Sequence, residues 1–332
     1  MLLAAATILF GFLILIWSAD LFVAGAASIA QNLGMSPIII GLTIVSVGTS
    51  APEILVSVTA SWSGAGELAI GNAIGSNIAN IALVLGVTVL VAPLMVQERC
   101  MRKEVPVLLL ATAAVGALLL DGVLSRMDGW LMLGALTFIV GHPIFTQTHD
   151  EELVVEAGDE PMPHLKPLRA WLTFSIGLAL LIGSSKMLVW GSVLTAKELG
   201  VSELIIGLTI VAVGTSLPEL AATVASALRE HTEIALGNII GSNLFNLLAV
   251  MAIPGIVAPE ILEPAVIERD YPAMTFLTVF LAIAIYVSRK RSKSHVGHAY
   301  LGRTLGVLLV LFYALYYYLL HACLLYTSDA AD

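Results

Sequence analysis

Charge is scarce in this sequence. Lys, Arg, Asp and Glu supply 12% of 332 residues, against about 25% in soluble domains. With 58% hydrophobic residues and a mean hydropathy of +0.96, this excludes an ordinary soluble domain and points to a helical membrane protein. Cysteine is almost missing. Cys100 and Cys323 are too few for a disulfide framework and have no metal spacing. Basic residues number 15 against 24 acidic ones, which excludes a nucleic-acid surface. Much of the acid behind the formal charge of −9 sits in one stretch, Asp150 to Glu160. No nucleophile motif, metal motif or phosphate loop is present, so the chain reads as a non-enzyme without a cofactor. The apolar start, Met1 to Trp17, lacks a basic leader and a small-residue cleavage site before Asp20, and reads as a first transmembrane helix.

Crossing the hydrocarbon core takes about 20 apolar residues. Cutting at charges and turn residues gives ten spans, near 3–30, 36–62, 68–92, 105–120, 129–148, 171–195, 203–228, 234–257, 272–287 and 304–321. The fourth and ninth are short for straight spans. The expected fold is an all-α integral membrane protein of ten transmembrane helices.

The chain also repeats itself. Gly41-Leu-Thr-Ile-Val45 returns as Gly207-Leu-Thr-Ile-Val211, an offset of 166 residues. Gly48-Thr-Ser-Ala-Pro-Glu53 returns as Gly214-Thr-Ser-Leu-Pro-Glu219 at the same offset. So does Gly71-Asn-Ala-Ile-Gly-Ser-Asn-Ile-Ala-Asn80, as Gly237-Asn-Ile-Ile-Gly-Ser-Asn-Leu-Phe-Asn246. Between 41–57 and 207–223, 11 of 17 residues are identical. Five helices per half make the second copy enter the membrane from the opposite side, an inverted repeat of the kind many secondary transporters use. The expected organisation is a first repeat at 1–148, an acidic cytoplasmic linker at 149–170, a second repeat at 171–322 and a polar tail at 323–332. The tail, CLLYTSDAAD, resembles a translated transposon end and is expected to be non-native. With the N-terminus outside, inside loops carry eleven Lys and Arg and outside loops carry only Arg126, Lys197 and Arg269. Both termini are therefore expected outside.

The repeated blocks carry the chemistry. Pro52 cannot donate to the carbonyl of Gly48, and its ring crowds that oxygen. The helix should break there, and irregular backbone at membrane depth is tolerated where it lines a cavity. Thr49, Ser50 and Glu53 share a face by helical spacing. Thr215, Ser216 and Glu219 repeat the arrangement, with Pro218 and Gly214. The next helices add Ser76 and Asn80, and Ser242 and Asn246. All of these donors are oxygen, which suits Na⁺ and Ca²⁺ and argues against zinc or copper. An intramembrane carboxylate costs at least about 2.5–3.5 kcal/mol, so Glu53 and Glu219 should bind what offsets them. Two carboxylates neutralise one Ca²⁺ or two Na⁺. A site that is neutral when loaded and charged when empty should change sides only when loaded.

Plainer roles compete elsewhere. The motif glycines, Thr43 and Thr209 read as close-packing positions, and Asn72 and Asn238 as helix-to-helix hydrogen bonding. Asp20 and Lys186, at matching positions, read as water-facing residues near helix ends. Glu67 and Glu233 precede a helix, where an acid meets the positive end of the dipole; a role in ion entry stays open for them. His142 and His149 carry no ligand pattern.

These blocks resemble the alpha repeats of the calcium/cation antiporter superfamily, and most closely its prokaryotic sodium/calcium exchanger branch. The resemblance implies one Ca²⁺ site and several Na⁺ sites at the midplane, with three Na⁺ exchanged per Ca²⁺. By motif position, Ca²⁺ is held by Glu53 and Glu219 with the backbone of Thr49 and Thr215. Na⁺ uses Ser50, Ser76, Ser216 and Ser242, with freed backbone near Ser46 and Ala212. Asn80 and position 246 also belong to the implied site. Position 246 is Asn, where some archaeal relatives and the potassium-dependent animal exchangers carry Asp. That leaves two carboxylates rather than three, and predicts no potassium requirement.

The expected function is sodium/calcium antiport by alternating access in the inner membrane of a prokaryote. Ca²⁺, Na⁺ and the lipid bilayer are the expected partners. A calcium/proton antiporter of the same superfamily is the alternative, since burial raises a carboxyl pKa. The proton-coupled branch has a Glu where this chain has Gly75 and Gly241, which favours Na⁺. A passive channel fits the broken, repeated helices less well.

Overall fold

A computed structural model of the chain describes residues 2–147, 165–199, 212–291 and 298–329. The expected linker as far as residue 164, and the block Gly207–Val211 with Thr209, lie outside the described residues. The protein is mostly helical. In chain order come α1 (Leu2–Leu33), α2 (Pro37–Thr49), α3 (Ala51–Trp62), α4 (Gly66–Val91), β1 (Leu94–Val96), α5 (Glu98–Asp121), β2 (Val123–Leu124) and α6 (Arg126–Gln147). The second half brings α7 (Pro167–Glu198), α8 (Ala212–Thr215), α9 (Leu217–Leu228), α10 (Thr232–Val257), β3 (Glu260–Ile261), α11 (Val266–Arg289), β4 (Ala299–Leu301) and α12 (Arg303–Asp329). Among the described residues, seven helices are long and apolar enough to span a membrane, or eight when the bent pair α2–α3 counts as one span.

The sequence period returns in the helix boundaries. α3 and α9 start and stop 166 residues apart, and so do α4 and α10. The two spans that look short in the sequence are longer in the structure, at 24 residues each. Each begins with a charged turn, Glu98–Arg102 before α5 proper and Val266–Asp270 before α11 proper, which a hydropathy cut discards.

Two pairs of helices are set by small residues. α1 lies along α7, where a Cβ on Gly25 would sit 2.5 Å from the backbone nitrogen of Phe174. Gly177 meets the backbone nitrogen of Phe22 at the same 2.5 Å. α2 lies against α10 through Gly41 and Gly237, where the added Cβ of either glycine would stand 3.0 Å from the other's Cα. Around the first pair, Phe22, Val23, Ala26, Phe174 and Leu181 form one buried cluster with Ile40 and Ile234. A larger core joins α4, α5, α10 and α11 through Ile74, Ile78, Leu85, Leu108, Leu247 and Met274. Large apolar side chains on the outer faces stay exposed, as Phe10, Phe12, Leu13, Ile16 and Trp17 do on α1, in keeping with a lipid-facing surface.

Among the described residues, four short strands join the helices, a feature with no periodic signal in the sequence. β1 pairs antiparallel with β4 (Leu94 opposite Leu301, Val96 opposite Ala299), and β2 with β3 (Val123 opposite Ile261). β1 follows α4 as β3 follows α10, so each ribbon ties one half to the other. Near the β1–β4 ribbon, Glu98 accepts from Arg102 at 2.6 Å and from Arg289 at 2.7 Å, joining α5 to α11.

Candidate cation-binding site

The break expected at Pro52 is present. α2 ends at Thr49, Ser50 sits at φ −83°, ψ 6°, and α3 leaves at 47°. In the second half Ser216 adopts φ −89°, ψ 4° between α8 and α9, one residue before Leu217-Pro218. At both breaks a helix C-terminus, with its partial negative charge, meets a new helix N-terminus. The C-terminal ends at Thr49 and Thr215 suit cations, and the N-terminal ends favour carboxylates. Glu53 and Glu219 each stand in the first turn of the new helix.

The two breaks converge. The Ser50 hydroxyl of the first half donates to Glu219 Oε1 of the second at 3.2 Å. Glu53 and Glu219 are only 1% and 2% exposed, and Ser50, Ser216, Ser242, Asn80 and Asn246 are buried with them. Ser76 on α4 is buried as well, and Thr215 is half-buried. Among the described residues, both oxygens of Glu53, Oε2 of Glu219, the Ser216 hydroxyl and both amide atoms of Asn80 and Asn246 have no hydrogen-bond partner. Among the described residues, no ion pair includes either acid. Unpaired buried charge is penalised by several kcal/mol on the order-of-magnitude scale for desolvated ions. Oxygen donors left unsatisfied in one place are the complement of a dehydrated hard cation.

Asn80 and Asn246 open matching π-turns, Asn80–Leu85 and Asn246–Val250. The Asn246 carbonyl accepts the Met251 N–H, five residues on, at 3.0 Å. Such widened turns recur at functional sites.

Not every expected ligand group is free. The Ser46 carbonyl accepts the Ser50 N–H at 2.9 Å and has the Thr49 hydroxyl oxygen 3.3 Å away. Its hydroxyl donates to Leu42 O at 2.7 Å. Pro52 has no N–H to offer the Gly48 carbonyl, two residues further on, while Ser46 stays inside its own turn. Ala212 opens α8, next to the undescribed block. Two groups at the site escaped the sequence reading. Thr223 receives an amide hydrogen from Asn238 at 2.9 Å, and Ser57, its match at an offset of 166, donates to Val250 O at 2.7 Å. The compared windows, 41–57 and 207–223, end on these two residues, where a Ser–Thr mismatch hides that both carry a hydroxyl.

A family model described as "Sodium/calcium exchanger protein" matches residues 3–145 and again 169–321. The chain belongs to the sodium/calcium exchanger family. This member of the calcium/cation antiporter superfamily is similar to putative antiporter CaxA of Alkalimonas amylolytica, 43% identical over 324 residues that cover 96% of this chain and 99% of that protein. It is also similar to inner membrane protein YrbG of Escherichia coli (strain K12), 38% identical over 315 residues, covering 93% and 94%. A solved structure of the sodium-calcium exchanger NCX_Mj, soaked with zero Na⁺ and Ca²⁺, superposes with a TM-score of 0.79 at 29% identity, covering 95% of this chain and 97% of that one. This exchanger-family chain is thus a multi-pass membrane antiporter. The buried oxygen cluster is its candidate ion site.

Proposed function

We propose that this chain exchanges Na⁺ for Ca²⁺ by alternating access, through ten spanning helices arranged as two inverted five-helix repeats. Ca²⁺ is held by Glu53 and Glu219 with the backbone ends at Thr49 and Thr215. Na⁺ is held by the same acids with Ser50, Ser76, Ser216, Ser242, Asn80 and Asn246. The observation that carries this reading is the meeting of two buried acids, one from each half, with Ser50 of the first half bonded to Glu219 of the second and three of the four carboxylate oxygens without a partner among the described residues. One Ca²⁺ or two Na⁺ cancel their charge, and a third Na⁺ leaves the loaded site at +1 instead of the −2 of the empty one. Loaded forms therefore avoid the desolvation penalty that holds the empty form on one side.

Sodium coupling is favoured over proton coupling by position 241. An acid there would have to start from a Cβ placed 2.5 Å from Ser46 Oγ and 2.6 Å from Leu42 O. At Gly241 the seam has no room for the extra carboxylate of the proton-coupled pattern, whereas Gly75, its match on α4, has open space among the described residues. With Asn at 246 the site holds no third acid, and transport is expected to proceed without K⁺. Lys and Arg bias puts both termini outside. The prokaryotic relatives, one of them an inner membrane protein, support an inner-membrane location.

The test is Ca²⁺ uptake into proteoliposomes under separately imposed Na⁺ and H⁺ gradients. Uptake driven by Na⁺ and insensitive to the H⁺ gradient is expected. Three Na⁺ per Ca²⁺ makes it respond to membrane potential, whereas a voltage-independent flux would mean a 2:1 exchange. Uptake driven only by H⁺ would favour the proton-coupled reading.

A further inference from the structure

The two halves of the site contain the same residues in different states. Asn238 on α10 is 1% exposed and bridges the halves. Its Oδ1 accepts the Thr49 hydroxyl of α2 at 3.1 Å, and its Nδ2 donates to Thr223 of α9 at 2.9 Å. Thr49 also meets the Ser242 hydroxyl at 3.4 Å. Backbone contact continues the seam, since a Cβ on Gly237 would stand 2.5 Å from Ile38 O.

Asn72, the matching residue on α4, is only half-buried. Its Nδ2 donates within its own half, to Glu53 O at 3.4 Å. Gly71 is exposed, and among the described residues nothing lies within 4 Å of a Cβ added at Gly71 or Gly75. Ser50 reaches Glu219, whereas its counterpart Ser216 has no partner among the described residues.

We propose that Asn238 and Asn72 are positioning residues that seal opposite sides of the ion site in turn. Asn238 clasps Thr49 in the state seen here, and Asn72 clasps Thr215 in the opposite one. The proposal rests on the antiport reading. The chemistry asks for an amide: Oδ1 must accept a hydroxyl from the other half while Nδ2 stays tied to its own. The bond also fixes the last turn of α2, whose C-terminal carbonyls face the ions. Neither asparagine needs to touch an ion.

The experiment compares Asn238→Ala and Asn72→Ala in proteoliposomes, with half-saturation for Ca²⁺ measured from each face. The ratio between faces should move in opposite directions for the two variants, by roughly 3- to 10-fold, the shift a hydrogen bond of ordinary net strength supports. Thr49→Val, nearly isosteric, should shift it as Asn238→Ala does, and the double variant should go no further. A second readout needs no transport. In a chain with Cys100 and Cys323 replaced by alanine, a thiol reagent reports on Gly71→Cys. Adding Asn238→Ala should slow that labelling several-fold, and Asn72→Ala should speed it. Equal shifts from both faces, additive Thr49 and Asn238 effects, or labelling unmoved by either variant would overturn the proposal. If the unaltered protein fails to exchange ions while labelling still shifts as described, the seal stands and the antiport reading falls.

Discussion

α4 and α10 share the pattern Gly-Asn-x-Ile-Gly-Ser-Asn-x-x-Asn and span matching positions in the two halves. Yet α10 is closed in at every residue from Ile234 to Asn246, while Gly71 on α4 is exposed and Asn72 and Gly75 are only half-buried. Identical motifs in unequal surroundings are what a two-state machine with internal symmetry requires. Each half must be able to form both the sealed and the open side, so neither side can be written into one copy alone.

The largest effect should come from the acids, where the halves are expected to behave alike. Glu53→Gln or Glu219→Gln should each cut Na⁺-driven Ca²⁺ uptake by about a hundredfold or more, the scale of removing one partner from a buried charge cluster. Elution and melting temperature should be retained. A strong loss in only one of the two would break the symmetry of the site.

The glycines should then separate the halves. Gly237→Ala places a methyl 2.5 Å from Ile38 O, and overpacking of this kind costs about 1–3 kcal/mol. Its thermal melt should fall by several degrees. Gly71→Ala meets open space and gains helix propensity of about 1 kcal/mol, so its melt should hold or rise. Equal losses would mean the α4 side is as tightly packed as the α10 side.

A smaller contrast is expected at the serines. Ser50→Ala removes the bond to Glu219, whereas Ser216→Ala removes none among the described residues in this state. Only the first should lower resting stability, by about 1 kcal/mol, although both should weaken Na⁺ binding. Least of all is Asp20→Asn. It breaks a pair with Arg229 at 2.9 Å whose side chains are 49% and 36% exposed. Such pairs contribute about 0–1 kcal/mol, and the melt should barely move.

The repeat was fully legible in the sequence because three blocks share one offset without a gap. The break at Ser50 was legible because Pro52 lacks a donor. The convergence of Glu53 and Glu219 followed from the penalty on unpaired intramembrane acids. Other features were not legible. A symmetric sequence holds no record of which side is sealed, so Asn238 could be read only as helix-to-helix glue until its bridge from Thr49 to Thr223 was seen. The strands are two or three residues long and paired across halves, below any periodic signal. The extra turns of α5 and α11 are rich in charge, with Glu98, Arg99 and Arg102 in one and Glu268, Arg269 and Asp270 in the other. The charge that hides them from a hydropathy cut suits a helix end in the headgroup region.

The central claim is that one buried pair of acids takes either cargo. Titration calorimetry of the purified protein with Ca²⁺, at a series of Na⁺ concentrations, tests it most directly. A single Ca²⁺ site is expected, with an apparent Kd that climbs as Na⁺ rises and with binding lost in Glu53→Gln and in Glu219→Gln. Ca²⁺ binding indifferent to Na⁺, or unchanged in either variant, would contradict it.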